Sequence, residues 1–218
     1  MKLKIAVLSG DGIGPEVTAQ TQKCLTAVAD IFGHDFSFKK ALVGAIAIEK
    51  SDSPLPQETL DLCLASDAVL FGAIGDPKYD RNPDAKIRPE QGLLQLRQEL
   101  NLYGNIRPVK IFPTLIDKSP LKKKLIKGTD FVIYRELTGG IYFGEKKLSA
   151  DGAVASDLCI YTEEEISRIS HLAFKAAKSR RKKLTLVDKA NVLESSRLWR
   201  RVVSRISESY PEVAVDYL

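Results

Sequence analysis

The chain has 218 residues, 44% hydrophobic and 28% charged, enough for one large or two small globular domains. No apolar run approaches the ~20 residues that span a bilayer, and Met1-Lys2-Leu3-Lys4-Ile5 lacks the apolar stretch and cleavage site of a secretory signal. The net charge of +5 sits mainly in Lys122-Lys123-Lys124 and Lys178 to Lys183, without interleaved aromatics, so a solvated surface is read and neither a nucleic-acid nor a membrane partner is expected.

The opening, Lys4 to Leu8, reads as a buried strand running into Gly10-Asp11-Gly12-Ile13-Gly14-Pro15-Glu16. Pro15 and Glu16 suit the first turn of a helix. Apolar positions Val17, Leu25, Val28 and Ile31 carry that helix to Gly33. Strands are predicted over Phe36 to Val43 and Ala68 to Ile74, with a helix over Pro56 to Leu64 between them. This alternation predicts an α/β fold with a parallel sheet covered on both faces. A long polar loop, Gly75 to Pro89, follows; loops of that length are functional or disordered. Gly92 to Leu100 is read as helix and Ile106 to Ile111 as strand.

The second half has a different texture. Thr129 to Leu137 reads as a strand, and the Gly-rich stretch Thr138 to Tyr161 as a hairpin arm. A helix over Glu163 to Arg181, a strand over Leu184 to Val187, a helix over Ser195 to Ser209 and a closing apolar strand restore the α/β rhythm. A chain that stops inside such a strand, with no polar tail, is expected to be cut short. Cys24, Cys63 and Cys159 are odd in number, lack a C-x-x-C pair and have apolar neighbours. Reduced thiols in a cytoplasmic protein are the reading.

The glycine loop departs from a dinucleotide fingerprint, because the third glycine of G-x-G-x-x-G is replaced by Pro15. A tight turn that lets a ligand approach is the better reading. Arg97, Arg107 and Arg135 lie in apolar segments, and a buried charge there must be paired. Structural salt bridges and a clamp for a substrate with two carboxylates both remain open. Lys189, closing the strand Leu184 to Asp188, is either half of an ion pair or a base with a lowered pKa. Tyr142 is either an arm-packing residue or a proton donor. His34 and His171 are isolated, and no pair of aspartates stands at i, i+4 on a predicted helix to suggest a metal site.

These segments fall in the order and spacing of one known family. Gly10 to Glu16, Arg88-Pro89-Glu90-Gln91-Gly92-Leu93-Leu94, Asn105-Ile106-Arg107-Pro108-Val109 and Arg135-Glu136-Leu137-Thr138-Gly139-Gly140-Ile141-Tyr142-Phe143-Gly144 carry the likeness. Asp188-Lys189-Ala190-Asn191-Val192-Leu193 and Leu198-Trp199-Arg200 complete it. Together they resemble the isocitrate/isopropylmalate dehydrogenase family, and within it the enzymes acting on 3-isopropylmalate.

The resemblance implies a two-domain fold of that family, incomplete here. Residues 1–102 would form the N-terminal half of the first, cofactor-side domain. Residues 103–218 would form the second, with a dimerisation arm at about 138–161 and its C-terminal end missing. It implies NAD-dependent oxidative decarboxylation of 3-isopropylmalate in leucine biosynthesis, by a cytoplasmic homodimer.

In that reading Arg97, Arg107 and Arg135 grip the malate carboxylates, and Lys189 is the base, reaching the neighbouring subunit's site. Tyr142 takes part in protonating the enolate. Leu93, Leu94 and Val192 form the pocket for the isopropyl group, and Ile13, Gly75, Glu90 and Asn191 lie near NAD. The aspartates that hold Mg2+ or Mn2+ in the family are expected beyond Leu218. The 218 residues alone are therefore expected to be inactive and to expose apolar surface. Tartrate, homoisocitrate or isocitrate as substrate, or a non-catalytic dicarboxylate-binding remnant, stand as alternatives.

Overall fold

The computed structural model describes residues 1–82 and 85–218. The chain folds as two compact units, Met1–Asn101 and Leu102–Leu218. The first contains β1 (Lys2–Gly10), α1 (Gly14–Phe32), β2 (Asp35–Ala41), α2 (Ala45–Ser51), α3 (Gln57–Leu64), β3 (Ala68–Ala73), α4 (Pro77–Asp80) and α5 (Pro89–Glu99). Its three strands form a parallel sheet ordered β2-β1-β3. Ile5, Ala6, Val7 and Leu8 are all buried, as a central parallel strand covered on both faces requires. Ala6 and Leu8 point to one face and pack with Val43, Leu55, Leu60, Cys63 and Leu96.

The α1 helix has the predicted bounds but a different buried face. Val17, Val28 and Ile31 are exposed, and the buried positions are Gly14, Thr18 and Ala29. The cause is a close backbone approach: a side chain at Gly14 would strike the Ser9 carbonyl, and one at Gly72 would meet Thr18. Only small residues fit that seam, so apolar periodicity pointed to the wrong stripe. Gly33 ends the helix at φ 64°, its N–H donating to the Ala29 carbonyl, the usual left-handed glycine stop. The α2 helix was not foreseen. The expected long loop starts with the short α4; its residues Pro83 and Asp84 lie outside the described residues.

The second unit contains β4 (Gly104–Lys110), a 3-10 turn over Pro113–Lys118, α6 (Lys123–Ile126), β5 (Asp130–Glu136), a 3-10 turn over Gly140–Tyr142, β6 (Lys146–Leu148) and β7 (Ala155–Asp157). It continues with α7 (Glu163–Lys178), β8 (Lys183–Leu186), α8 (Glu194–Ser207) and β9 (Ala214–Tyr217). β4 and β5 form an antiparallel ribbon, β6 and β7 an antiparallel hairpin, and β8 and β9 a parallel pair. The hairpin lies in the stretch read as an arm. A capping box starts α7: Thr162 Oγ1 accepts from the Glu165 amide and Glu165 Oε2 from the Thr162 amide. Ile166, Phe174 and Ala177 of α7 pack with Val202, Val203 and Ile206 of α8 and with Leu186 and Val213. Phe174 also stacks on Tyr210 with ring centroids 4.9 Å apart.

The basic run after α7 is largely paired. Lys178 meets Glu212, Arg180 meets Asp130 and Lys183 meets Asp216. The thiols depart from their expected common setting. Cys63 is buried, which pushes its pKa up, whereas Cys24 and Cys159 are exposed. Among the described residues no helix is long and apolar enough to cross a membrane.

Candidate active site

In the first unit the loops leaving β1 and β3 meet at the carboxyl edge of the sheet. The chain runs from β1 outward to β2 and returns to β3 on the other side of β1. This order creates a switch point between β1 and β3, where open α/β sheets bind ligands. Asp11 organises the edge. Its buried carboxylate accepts from the amides of Ala45, Ile46 and Gly75 at 2.8, 3.0 and 3.0 Å. One side chain thereby caps α2 and fixes the Gly75 loop to the glycine turn.

Ile13 stands exposed just past Asp11. A side chain built at Gly75 would reach Glu90 Oε1 at 3.4 Å, so Ile13, Gly75 and Glu90 border one region of this edge. Glu90, Leu94 and Arg97 follow one another at i, i+4 and i+7 on α5, with Leu93 beside them, and so share a helix face. Leu93, Leu94 and Arg97 are half-buried and Glu90 is exposed. The adjoining face, through Pro89, Gly92 and Leu96, is buried. Replacing Asp11 by Asn is expected to cost about 1–3 kcal/mol, because amides that met a charged acceptor lose it. Urea unfolding measures the cost, and faster hydrogen exchange at the Gly75 amide reports the freed loop. Unchanged exchange there would argue against the anchoring role.

In the second unit the β4–β5 register pairs Asn105 with Arg135 and Arg107 with Ile133. Residues directly opposite share a face, so Arg107 and Arg135 are diagonal neighbours, with Cα atoms about 7–8 Å apart in such a ladder. Both are exposed, which corrects the expectation of charges embedded in apolar strands; they occupy the outward face of the ribbon. Arg107 Nε donates to Asn105 Oδ1 at 2.7 Å. The Arg135 guanidinium lies over the Tyr142 ring, 5.1 Å from its centroid, a cation–π contact.

Behind this face Glu136 is buried. It accepts from the Thr138 and Gly139 amides at 2.9 and 2.7 Å and pairs with Arg168 at 2.7 Å. Gly140 has φ 78°, and a side chain there would strike the Tyr161 ring, so the turn carrying Tyr142 requires glycine. Burial, followed by the nearby Cys159 and Glu136, pushes the Tyr161 pKa up.

Lys189, Asn191 and Val192 form a third group on the turn between β8 and α8. All are exposed, so Lys189 lacks in this chain the buried surroundings read from its sequence position. The turn itself is held firmly. Asp188 accepts from Arg200 Nε at 2.7 Å and from the Ala190 amide at 2.9 Å, while the Lys189 amide donates to Ser196 Oγ at 3.1 Å. Burial acts to raise the Asp188 pKa, but the bonds from Arg200 and Ala190 outweigh it and hold the carboxyl below its ordinary range.

A depressed carboxyl pKa stabilises the fold above the unfolded value of about 3.9 and loses that contribution as pH falls through the folded value. The stability advantage of the native chain over Asp188→Asn is therefore expected to shrink between about pH 5 and pH 3. An advantage that stays constant across that range would contradict the assignment.

Sequence reasoning missed Asp11, Glu136 and Arg168, and did not assign Asp188 and Arg200 their bracing roles. All but Arg168 lie inside the motif stretches. Besides the nearby amides that Glu136 and Asp188 collect, their partners are 34 and 64 residues away for Asp11, 32 for Glu136 and 12 for Asp188, contacts that no local pattern marks.

Residues 4–217 match the family described as Isocitrate/isopropylmalate dehydrogenase. The chain is 53% identical over 218 residues to a 3-isopropylmalate dehydrogenase of Bacteroides fragilis, covering 100% of this chain and 61% of that protein. A 3-isopropylmalate dehydrogenase of Aquifex aeolicus is 50% identical over 220 aligned positions, covering 100% and 60% respectively. Among solved structures, an isocitrate dehydrogenase from Methylococcus capsulatus superposes with a TM-score of 0.82 at 30% identity, covering 99% of this chain and 60% of that one. The chain thus spans about 60% of the length of the curated relatives it matches. On the match along nearly its whole length, the chain belongs to the isocitrate/isopropylmalate dehydrogenase family.

Proposed function

We propose that this chain carries part of a site that oxidises and decarboxylates 3-isopropylmalate with NAD, giving 4-methyl-2-oxopentanoate in leucine biosynthesis. The observation that carries the reading is the pairing of Arg107 and Arg135 on one ribbon face with Tyr142 beneath the Arg135 guanidinium. Two guanidinium forks on one face suit a substrate with two carboxylates. The names of the two 3-isopropylmalate dehydrogenases similar to it support the same substrate.

In this reading Arg97, Arg107 and Arg135 bind and orient the two carboxylates. Lys189 removes the hydroxyl proton as oxidation proceeds, the role of a positioned general base. The β-keto acid then loses CO2, and Tyr142 donates a proton toward the enolate carbon. Leu93, Leu94 and Val192 surround the isopropyl group with apolar surface. The exposed Glu90 carboxylate beside the bare Gly75 backbone fits a ribose hydroxyl of NAD, with Ile13 and Asn191 contributing further contacts. NAD, when bound, supplies the hydride acceptor.

Among the described residues no group of three or more His, Cys, Asp or Glu side chains could hold the Mg2+ or Mn2+ of this reading.

The hairpin exposes Leu148, Val154, Leu158 and Ile160 around its strands, which supports a homodimer joined through the arm, and a cytoplasmic location accords with this enzyme class. Expression of the complete gene product in a leucine-requiring bacterium that lacks its own isopropylmalate dehydrogenase is expected to restore growth without leucine. Folded protein without growth would overturn the proposal.

A further inference from the structure

We propose that Glu136, neutralised by Arg168, is a positioning residue that sets the Arg135–Tyr142 pair; this rests on the function proposed above. Glu136 follows Arg135 directly on β5, and the alternation of a strand turns the two side chains to opposite faces. Arg135 points to the outward face, and Glu136 is buried behind it, its side chain 1% exposed.

The polar contacts of that carboxylate go to the turn leading to Tyr142 and to α7. Oε2 accepts from the Thr138 and Gly139 amides, and Oε1 from Thr138 Oγ1 and Arg168 Nη2. Arg168 in turn bonds Thr138 Oγ1 and stacks over Tyr103, 4.7 Å from its ring centroid. The chain therefore reverses around one buried carboxylate immediately after Arg135. On leaving it, the chain enters the 3-10 turn that brings Tyr142 under the Arg135 guanidinium.

The far side of the same turn is held independently. Lys146 Nζ donates to the carbonyls of Ile141, Tyr142 and Gly144 at 3.2, 2.8 and 3.3 Å. With the exit of the turn fixed in this way, the entrance at Thr138 and Gly139 decides where the Tyr142 ring lies. A carboxylate suits that task because it accepts from four donors at once, and a buried charge is tolerated only with its cation in place. Lying on the opposite face from the Arg135 side chain, Glu136 acts through the turn.

A double-mutant cycle on kcat of the complete gene product with 3-isopropylmalate separates positioning from bulk stability. Glu136→Gln is expected to lower kcat about tenfold or more, since small misplacements of reacting groups are costly. In a Tyr142→Phe background the same change is expected to lower kcat by less than about threefold, because residues acting as one unit are not additive. Equal factors in both backgrounds, or an unchanged kcat in Glu136→Gln, would overturn the proposal. If Glu136→Gln does not fold, Thr138→Val decides by the same comparison, as it removes only the hydroxyl shared by Glu136 and Arg168. A wild-type product without turnover refutes the proposed function instead, a result distinct from equal factors.

Discussion

Replacement of Lys189 by Ala is expected to lower kcat for 3-isopropylmalate oxidation by the complete gene product by about 10²–10⁴-fold, the contribution of a positioned general base. The geometry around this lysine explains why the loss falls on kcat. Asp188 and Arg200 brace the turn from below, and Ser196 holds the Lys189 amide. Removing the ammonium therefore leaves the backbone of the turn in place. The arginines proposed to bind the carboxylates are untouched, so KM is expected to change less than kcat. An added small primary amine recovers part of the lost rate, because it can occupy the space left by the side chain. A kcat within about threefold of wild type would remove Lys189 from the chemistry.

Phe174→Ala destabilises the second unit by about 3–5 kcal/mol, as expected for a large aromatic deleted from a packed core. Phe174 is fully buried between α7 and α8 and stacks on Tyr210. Its removal loses both the transfer energy of the ring and the contacts around the cavity it leaves. His171 on the same helix bonds the Tyr210 hydroxyl at 3.0 Å, so Tyr210 is restrained from collapsing into the space. The shift is read from the urea midpoint of the second-unit transition. A shift below about 1 kcal/mol would mean that the core repacks freely around the shortened side chain.

The framework of the first unit was legible because its signals are local. A run of four apolar residues at Ile5 to Leu8, short and stopped by the glycine turn at Gly10, reads as a strand buried on both faces, and Pro15 and Gly33 bracket α1. The face that α1 buries was not legible. Its seam depends on how closely the helix backbone approaches Ser9 and Gly72, and small residues carry no hydrophobic signal. The α2 helix escaped notice because alternating Ala and Ile over four residues fits a strand as well as a helix.

For the candidate site, Arg107, Arg135 and Tyr142 stood out in the sequence as separate residues. Their meeting depends on the antiparallel register of β4 and β5, which no residue announces before pairing. The same limit hid the exposure of the two arginines, since an apolar-flanked residue on a two-stranded ribbon has one face open. Asp11 gave no local sign because it collects amides from distant segments, and Glu136 because its cation, Arg168, lies 32 residues further on. Three of the carboxylates overlooked as structural supports, Asp11, Glu136 and Asp188, each brace a loop that bears proposed substrate or cofactor residues.

The most direct measurement of the central claim is kcat/KM of the complete gene product for 3-isopropylmalate, isocitrate and tartrate, followed by formation of reduced nicotinamide. The role proposed for Leu93, Leu94 and Val192 predicts a preference for 3-isopropylmalate of about tenfold or more, the discrimination a few buried methylenes provide. An equal or higher value for isocitrate or tartrate, or no reduced nicotinamide with any of the three, would contradict it.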